Sequence, residues 1–292
     1  MPIRNLNIYT MKIRKLGSSK PKVLLFQGSP RDKDTCPGME SKTHAIIEHV
    51  VQKWSPFAEF KVIDLSVNLE KKPTIQPCKG CISTAGGYHC HFPCSCYFKG
   101  DASKPDLMKE LGVYDLLQQC DAFLIFSPIH WHSLSAQVKA LFDRLVCANL
   151  SLALDDAKKL MPEEYKNPAV TGKMARTGKY DNMLRNHLEG KVCGFYAHGD
   201  DGADDYEGKQ MPESYSDVLV DVFSIDPKST VMPFVMQMKY SGVFVPDQLI
   251  QAFYMNKGVD YYTANKTLGK NQEPFDRADD LIDNLLEYLE SK

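Results

Sequence analysis

The sequence predicts an α/β fold in which a five-stranded parallel sheet is covered by helices on both faces. Apolar runs such as Val23–Phe26 and Ala122–Phe126 lack the alternation of a half-exposed strand, which indicates strands buried on both faces. Segments of helical periodicity separate these runs. Strands that alternate with helices favour a doubly wound parallel sheet. No internal repeat is evident along the chain.

The individual elements follow one another in a regular order. The predicted strands cover residues 23–26, 60–65, 122–126, 192–197 and 230–238. Apolar residues recur at helical spacing in residues 43–54, 107–117, 134–146, 218–225 and 281–289. Two long segments, residues 66–105 and 149–190, interrupt this alternation and are predicted to be inserted loops. Residues 21–292 are therefore predicted to form one domain with two insertions.

Composition describes an ordinary globular chain of 292 residues, with 43% hydrophobic residues and a formal net charge of −2. A charge so close to zero gives no global reason to expect nucleic acid or a membrane as a partner. Residues 1–20 contain Lys and Arg but no acid, and they predict a basic N-terminal extension. This extension lacks the apolar core of a secretory signal, which favours a cytoplasmic protein.

The segment Gly28-Ser29-Pro30-Arg31 at the end of the first strand is a candidate ligand site. A buried strand that ends in Gly-Ser and leads to a helix presents backbone N–H groups to an anion. Side chains suited to a phosphate monoester lie in this segment or shortly after it: Ser29, Arg31, Ser41 and Thr43. The G-x-G-x-x-G and P-loop patterns are both missing here. An ordinary strand-to-loop turn is the alternative interpretation.

Two further strands end in polar loops. Ser127-Pro128-Ile129-His130-Trp131 follows the third strand, and His198-Gly199-Asp200 follows the fourth. The carboxyl ends of parallel strands meet at one edge of a sheet, where open α/β folds bind their ligands. His130 lies on a loop rather than on an apolar helix face, so a ligand contact is favoured over a surface role.

Taken together, the three loops resemble those of the NADPH-dependent FMN reductase and quinone reductase branch of the flavodoxin-like superfamily. Members of this branch carry a G-S-x-R loop, here Gly28–Arg31. They also carry a Pro-x-His or Pro-x-Tyr loop before a helix with Lys and Asp-Arg, here Pro128–His130 followed by Lys139 and Asp143-Arg144. The resemblance covers roughly residues 20–200. It implies a flavodoxin-like sheet of strand order 2-1-3-4-5.

The resemblance also implies an FMN site spread over the three strand ends. The phosphate would bind at Gly28, Ser29, Arg31, Ser41 and Thr43. The flavin ring would be flanked by Pro128, Ile129, His130 and Trp131, and its N1–O2 edge would receive hydrogen bonds from His198 and Gly199. No conventional catalytic side chain is expected, and His130 and His198 are the candidates for tuning the flavin or donating a proton.

The function implied by the resemblance is an FMN-dependent NAD(P)H oxidoreductase that passes electrons to a quinone, free flavin or other small acceptor. The alternative is a flavodoxin-type electron carrier or an iron–sulfur flavoprotein without nicotinamide turnover. Carriers usually dock their partners through a strongly acidic surface, so the nearly neutral charge favours the enzyme. The family further implies a homodimer or tetramer.

Five of the nine cysteines fall within one short segment: Cys78, Cys81, Cys90, Cys94 and Cys96. Two thiolates in a Cys-x-x-Cys turn hold one metal ion, and further cysteines complete four ligands. A zinc or iron–sulfur site is therefore one interpretation. Iron–sulfur flavoproteins of the same superfamily carry a cysteine motif here, although with tighter spacing. The alternative is reduced thiols, either packed as small apolar residues or redox-active near the flavin.

Overall fold

A computed structural model describes residues 19–35, 38–66, 74–97, 105–200, 226–255 and 266–292. The helix predicted over residues 218–225 and almost all of the predicted basic extension lie outside these ranges. The division into an extension and one domain with insertions stays a prediction.

Five parallel strands form the central sheet: β1 (Lys22–Gln27), β2 (Glu59–Asp64), β3 (Ala122–His130), β4 (Val192–Asp200) and β5 (Ile250–Met255). Their order is β2-β1-β3-β4-β5. The predicted flavodoxin-like α/β class and strand order are thereby confirmed. A two-residue strand, Ser133–Leu134, pairs antiparallel with the end of β3. His91–Phe92 and Leu152–Ala153 form a separate parallel pair.

Seven helices of at least seven residues occur in the described ranges: α1 (Lys42–Trp54), α2 (Val113–Gln119), α3 (Ala136–Leu145), α4 (Leu154–Leu160), α5 (Pro168–Thr177), α6 (Met232–Tyr240) and α7 (Glu273–Glu290). Single helical turns occur at Ile82–Ala85 and Leu107–Glu110. Short 3-10 turns occur at Gly86–Tyr88, Val146–Ala148, Asp181–Met183, Pro227–Thr230, Asp247–Leu249 and Leu268–Lys270. None of the helices described is long and apolar enough to cross a membrane.

Two hydrophobic cores lie on opposite faces of the sheet. On β1, Leu24 and Phe26 pack on the face that carries α2, α3 and α6. Val23 and Leu25 pack on the other face, against α1 and α7. Successive residues of a strand point to opposite faces, so a strand with a core on each side is apolar throughout. This two-sided burial is the physical reason for the unbroken apolar runs.

One carboxylate, Asp279 of α7, fixes α1 against α7. It accepts a hydrogen bond from Trp54 Nε1 at 2.7 Å and from Lys53 Nζ at 2.6 Å, and the ring of His49 lies 3.1 Å from it. These three partners occupy the middle and end of α1.

The prediction of a fifth strand over residues 230–238 is wrong. Residues Met232–Tyr240 form α6, and the fifth strand is Ile250–Met255. Pro233 lies in the first turn of α6, where its missing N–H costs nothing. Phe234, Val235 and Met238 then recur at helical spacing and are buried. A short apolar run of this length is compatible with either a strand or a buried helix, and the periodicity decides for the helix.

The predicted helix over residues 107–117 is interrupted. A turn at Leu107–Glu110 and the helix α2 are separated by Gly112, whose φ of 58° lies in the left-handed region that glycine adopts without cost. The two segments predicted as inserted loops likewise contain short elements. They pack against each other through a small third core: Tyr88, Leu152, Ala157 and Met161.

Candidate functional site

The N-terminus of α1 is open toward the carboxyl edge of the sheet. Ser41 caps the helix, and its Oγ accepts a hydrogen bond from the backbone N–H of His44 at 3.0 Å. Lys42 and Thr43 follow in the first turn, and both are buried. The N-terminus of a helix carries a partial positive charge from its unpaired N–H groups. This end of α1 therefore combines a positive potential with hydroxyl groups.

The loop after β1 is held in place by hydrogen bonds within the loop and by hydrogen bonds to β3 and to the start of α3. The side chain of Gln27 accepts from the N–H of Ser29, and Ser29 Oγ accepts from the N–H of Arg31 at 3.2 Å. The N–H of Gly28 donates to the carbonyl of Phe126 at 2.7 Å. The hydroxyl of Ser135, at the start of α3, donates to the carbonyl of Gly28. The loop is thus fixed between β1, β3 and α3.

Replacing Gly28 with alanine should destabilise the protein. A Cβ at this position would lie 2.4 Å from Val138 Cγ2 and 2.9 Å from the Phe126 carbonyl oxygen. The clash with the carbonyl oxygen can be relieved only by a shift of the loop, because this oxygen belongs to the backbone of β3. We expect a loss of about 1–3 kcal/mol in the free energy of unfolding, measured with denaturant. The matched control is Gly269→Ala, where no atom lies within 4 Å of the added Cβ and φ is not in the left-handed region. Equal losses for both variants would contradict the close-packing explanation.

His198 connects the end of β4 to the start of α1. Its Nε2 lies 2.8 Å from Thr43 Oγ1, and only 5% of the residue is exposed. In the sheet, His198 is in register with Pro128 of β3. The ring therefore lies at the end of the site where the helix begins, beside the hydroxyl groups expected to bind a phosphate.

A cavity of about 240 Å³ opens between the three strand ends and the N-terminus of α1. It is lined by Ser29, Arg31, Ser41, Lys42, Thr43, Pro128, Ile129, His130, His198 and Gly199. All but two of the residues predicted to bind FMN are in this set. The exceptions are Gly28, which packs beneath the loop, and Trp131, which points away and is 96% exposed.

Lys42 lines the cavity but was not among the predicted site residues. It is 95% removed from solvent and lies in the first helical position, directly after the capping serine. Burial of a lysine requires compensation by partners or a bound anion. The position of Lys42 after the N-cap is the sequence signal that identifies it.

The chemistry of the cavity matches a phosphate monoester joined to a planar apolar group. Arg31 and Lys42 provide two cations, and Ser29, Ser41 and Thr43 provide hydroxyl donors. These groups form charge-assisted hydrogen bonds with a dianion. At the other end, Pro128 and Ile129 provide an apolar wall. The residues present therefore fit FMN.

His130 is predicted to remain neutral at pH 7. Partial burial of its ring and the nearby Arg31 guanidinium, in that order, lower its pKa. A ring-proton NMR titration should therefore give a midpoint below the usual value of about 6.5. In Arg31→Ala the midpoint should rise, because one of the two causes is removed. A midpoint above 6.5 in the unaltered protein would contradict this assignment.

Trp131 and His132 form a two-residue turn between β3 and the short strand Ser133–Leu134. Both adopt positive φ angles, 48° and 58°. The pairs Ile129–Leu134 and His130–Ser133 close the hairpin beneath them. This turn carries the Trp131 ring into solvent, and Trp131 is not among the residues that line the cavity.

The cysteine segment is held by a buried ion pair. Arg144 of α3 donates from Nη1 to Asp106 Oδ1 at 2.8 Å and from Nη2 to Asp106 Oδ2 at 2.9 Å. Arg144 Nη1 also donates to the Gln76 carbonyl at 2.9 Å, and the N–H of Gln76 donates to Asp106 at 3.0 Å. Arg144 and Asp106 are both buried. They fasten the start of the cysteine segment to α3.

The five clustered cysteines are all free thiols and are partly buried. Cys81 Sγ lies 2.9 Å from Cys96 Sγ. Within the described ranges, no three or more His, Cys, Asp or Glu side chains are arranged to hold a metal ion. The structure therefore gives no support to the zinc or iron–sulfur site predicted for Cys78, Cys81, Cys90, Cys94 and Cys96.

Comparison with known proteins identifies the family. A family model described as NADPH-dependent FMN reductase matches residues 21–199. The chain belongs to the NADPH-dependent FMN reductase family. The matched residues contain the loop after β1, all of α1 and the ends of β3 and β4, which together line the cavity. Membership in this family supports FMN as the cofactor and an oxidoreductase as the class of protein. No curated protein matches the chain.

Solved structures similar to this reductase-family chain include the following three proteins. RosB with bound 8-demethyl-8-formylriboflavin-5'-phosphate is 12% identical, with a TM-score of 0.47, covering 93% of this chain and 81% of its own. An FMN-dependent NADH-azoreductase from Bacillus anthracis is 12% identical, with a TM-score of 0.40 and coverage of 91% and 99%. An NAD(P)H:quinone oxidoreductase from Methanothermobacter marburgensis is 12% identical, with a TM-score of 0.43 and coverage of 89% and 94%.

Proposed function

We propose that this protein is an FMN-dependent NAD(P)H oxidoreductase that passes electrons to a small acceptor such as a quinone or free flavin. One observation carries the proposal: two cations, three hydroxyls and a helix N-terminus meet two further strand ends in one cavity. In a doubly wound sheet this cavity lies between β1 and β3, where the strand order reverses and ligands bind.

The phosphate end of the site is formed by the loop after β1 and the start of α1. Arg31 and Lys42 neutralise a dianion, and Ser29, Ser41 and Thr43 donate hydrogen bonds to its oxygens. The contact between His198 Nε2 and Thr43 Oγ1 fixes the position of the Thr43 hydroxyl. The protein thus orients the ligand before any chemistry takes place.

The ring end of the site is formed by Pro128, Ile129 and His130, together with Gly199. FMN, when bound, supplies the hydride and electron transfer chemistry, and the chain supplies position and electrostatics. Gly199 lets the Tyr254 ring of β5 pack against the end of β4, because a Cβ there would lie 2.7 Å from that ring. No side-chain nucleophile is required.

The two histidines have different roles in this proposal. His130 is neutral near pH 7 because its pKa is lowered, so it exchanges hydrogen bonds with a ligand as a neutral ring. His198 contacts Thr43 and acts as a positioning residue for the phosphate end. Protons for the acceptor would come from solvent, and His130, which lines the cavity, is the side chain that would relay them.

The proposal is tested by adding FMN to the purified full-length protein and removing the excess. Visible flavin absorbance should remain with the protein. NADH and NADPH are then supplied separately with a benzoquinone, free FMN or an azo dye, and nicotinamide oxidation is followed by absorbance. Turnover with at least one acceptor is expected. Loss of all flavin on desalting would contradict the FMN site, and retained flavin without nicotinamide oxidation would favour the electron carrier instead.

We also propose a homodimer or tetramer in which a second copy covers the cavity rim. Support comes from the exposed Trp131 ring at that rim. Light scattering should give a mass of two or four chains, and Trp131→Ala should shift it toward one. Tyr240→Ala, which removes another exposed aromatic side chain on α6, is the matched control. A monomeric unaltered protein would exclude this part of the proposal.

A further inference from the structure

The loop after β1 has used all of its backbone N–H groups inside the protein. The N–H of Gly28 donates to a carbonyl of β3 at 2.7 Å. The N–H of Ser29 donates to Gln27 Oε1 at 2.5 Å, and the N–H of Arg31 donates to Ser29 Oγ at 3.2 Å. Pro30 has no N–H. This differs from the sequence prediction, in which the loop presents backbone N–H groups to an anion.

Gln27, the last residue of β1, is a buried amide with a partner on each side. Only 1% of the residue is exposed. Its Nε2 donates to Asp64 Oδ1 at 3.1 Å, and its Oε1 accepts from the N–H of Ser29. An amide carries its donor and its acceptor on different atoms, so one orientation alone satisfies both neighbours. The Gln27 side chain therefore has a fixed orientation.

Asp64, the last residue of β2, is itself held by the residues that follow it. Its Oδ1 accepts from the N–H of Ser66 at 2.8 Å, and its Oδ2 accepts from Ser66 Oγ at 3.1 Å. The carbonyl of Gln27 also accepts from the N–H of Leu65 at 2.9 Å. A continuous chain of hydrogen bonds thus runs from the end of β2 through Gln27 to Ser29. The position of the loop after β1 depends on the neighbouring strand.

This chain of hydrogen bonds decides which donors remain for a phosphate. Ser29 Oγ accepts from the N–H of Arg31, so its single O–H hydrogen stays available to a ligand. Ser29 lines the cavity assigned to FMN, whereas Gln27 and Asp64 do not. Backbone donors are left at the start of α1, because the first N–H groups of a helix have no acceptor within it. The loop after β1 contributes side chains instead.

We propose that Gln27 is a positioning residue for phosphate recognition, because its side chain binds the Ser29 N–H and holds Ser29 in the wall of the cavity. The inference rests on the proposed FMN function and deepens it, since it assigns a role to a residue that does not touch the ligand. The ligand group concerned is a phosphate monoester. Gln27 therefore controls the preference for FMN over riboflavin, the same flavin without its phosphate.

The test compares the binding of FMN and riboflavin to the full-length apoprotein. Each variant is titrated with either flavin, and quenching of the flavin fluorescence gives the dissociation constants. Gln27→Leu should weaken FMN binding about tenfold or more, because the buried Ser29 N–H loses its acceptor and the loop shifts. Riboflavin binding should stay nearly unchanged, since riboflavin has no group that reaches this loop.

Gln237→Leu is the matched control for this substitution. Gln237 Nε2 of α6 donates to the Phe142 carbonyl, so the control also removes an amide that bonds to the backbone. Gln237 does not line the cavity. Urea denaturation of both apoproteins measures the loss of stability in each. The preference for FMN over riboflavin should fall in Gln27→Leu and should be kept in Gln237→Leu.

An exchange of the amide and the carboxylate separates positioning from simple packing. Gln27→Glu alone places two carboxylates in contact and should weaken FMN binding. Addition of Asp64→Asn returns a donor opposite the new carboxylate and leaves the net charge of the pair as it was. The double variant should therefore regain part of the lost FMN affinity. A residue that only filled space would not be rescued in this way.

Amide hydrogen exchange, followed by NMR, reports on the contact without any flavin. The Ser29 N–H should be protected in the unaltered apoprotein and in Gln237→Leu, and it should exchange faster in Gln27→Leu. Three outcomes would overturn the role of Gln27 alone while FMN still binds. They are an unprotected Ser29 N–H, an equal change of FMN preference in the two leucine variants, and no rescue by the exchange. Absence of FMN binding to the unaltered protein would overturn the proposed function as well.

Discussion

Replacing Arg31 with alanine is expected to weaken FMN binding by about 10- to 100-fold. The guanidinium lines the cavity beside Ser29 and the N-terminus of α1, where the phosphate dianion would bind. A charge-assisted hydrogen bond contributes roughly 1.5–3 kcal/mol, which corresponds to this loss of affinity. Equilibrium titration of the apoprotein with FMN, followed by flavin fluorescence, measures it.

Lys33→Ala is the matched control for this prediction. Lys33 lies two residues further along the same loop and is exposed, and it does not line the cavity. Both substitutions remove one positive charge, so a long-range effect of net charge would change both affinities equally. Equal dissociation constants for the two variants would contradict the placement of the phosphate. Arg31→Lys should recover part of the lost affinity, since the charge returns without the fork of donors.

Replacing Asp106 with alanine is expected to lower the free energy of unfolding by about 3–5 kcal/mol. Asp106 is the bidentate partner of Arg144, and both side chains are almost completely buried. Removal of the carboxylate leaves a buried guanidinium without its counter-charge, which is the costly way to break such a pair. The Gln76 N–H also loses its acceptor. Urea denaturation followed by circular dichroism measures the change.

Asp143→Ala supplies the comparison for Asp106→Ala. Asp143 precedes Arg144 on α3 but pairs with Lys139 at the surface. Exposed pairs of this kind contribute about 0.2–1 kcal/mol. The two substitutions remove the same chemical group from sites that differ mainly in burial. A loss for Asp106→Ala no larger than that for Asp143→Ala would show that the buried pair does not hold the segment. Replacement of both Asp106 and Arg144 with apolar residues should cost less than Asp106→Ala alone.

The central sheet was predictable because both of its faces are buried. Strands β1, β3 and β4 each carry an apolar run, and no solvent-exposed face interrupts it. The edge strand β5 has no such run, since Gln251 interrupts its apolar residues and only Ile250, Phe253 and Met255 are fully buried. The segment that forms α6 has a longer apolar run than β5, and the sequence therefore predicts the last strand there.

Most of the residues that line the cavity were predictable for a related reason. In a parallel sheet all carboxyl ends of the strands lie at one edge. The convergence of the polar residues after β1, β3 and β4 can therefore be predicted even when the loop conformations are unknown. The direction of Trp131 was not predictable in this way, because a two-residue turn with positive φ angles reverses the chain there. The contact between Cys81 and Cys96 depends on the path of the segment between them, which no periodicity reports.

The hairpin tip at Trp131 and His132 has an energetic consequence. Tight two-residue turns of this kind favour Asn-Gly, whereas each bulky residue in the left-handed region costs roughly 1–2 kcal/mol. Replacing Trp131-His132 with Asn-Gly should therefore raise the thermal midpoint of the isolated chain while leaving its hairpin register intact. Because the turn is short and the hairpin below it is closed, the Trp131 side chain stays exposed to solvent as a hydrophobic surface group.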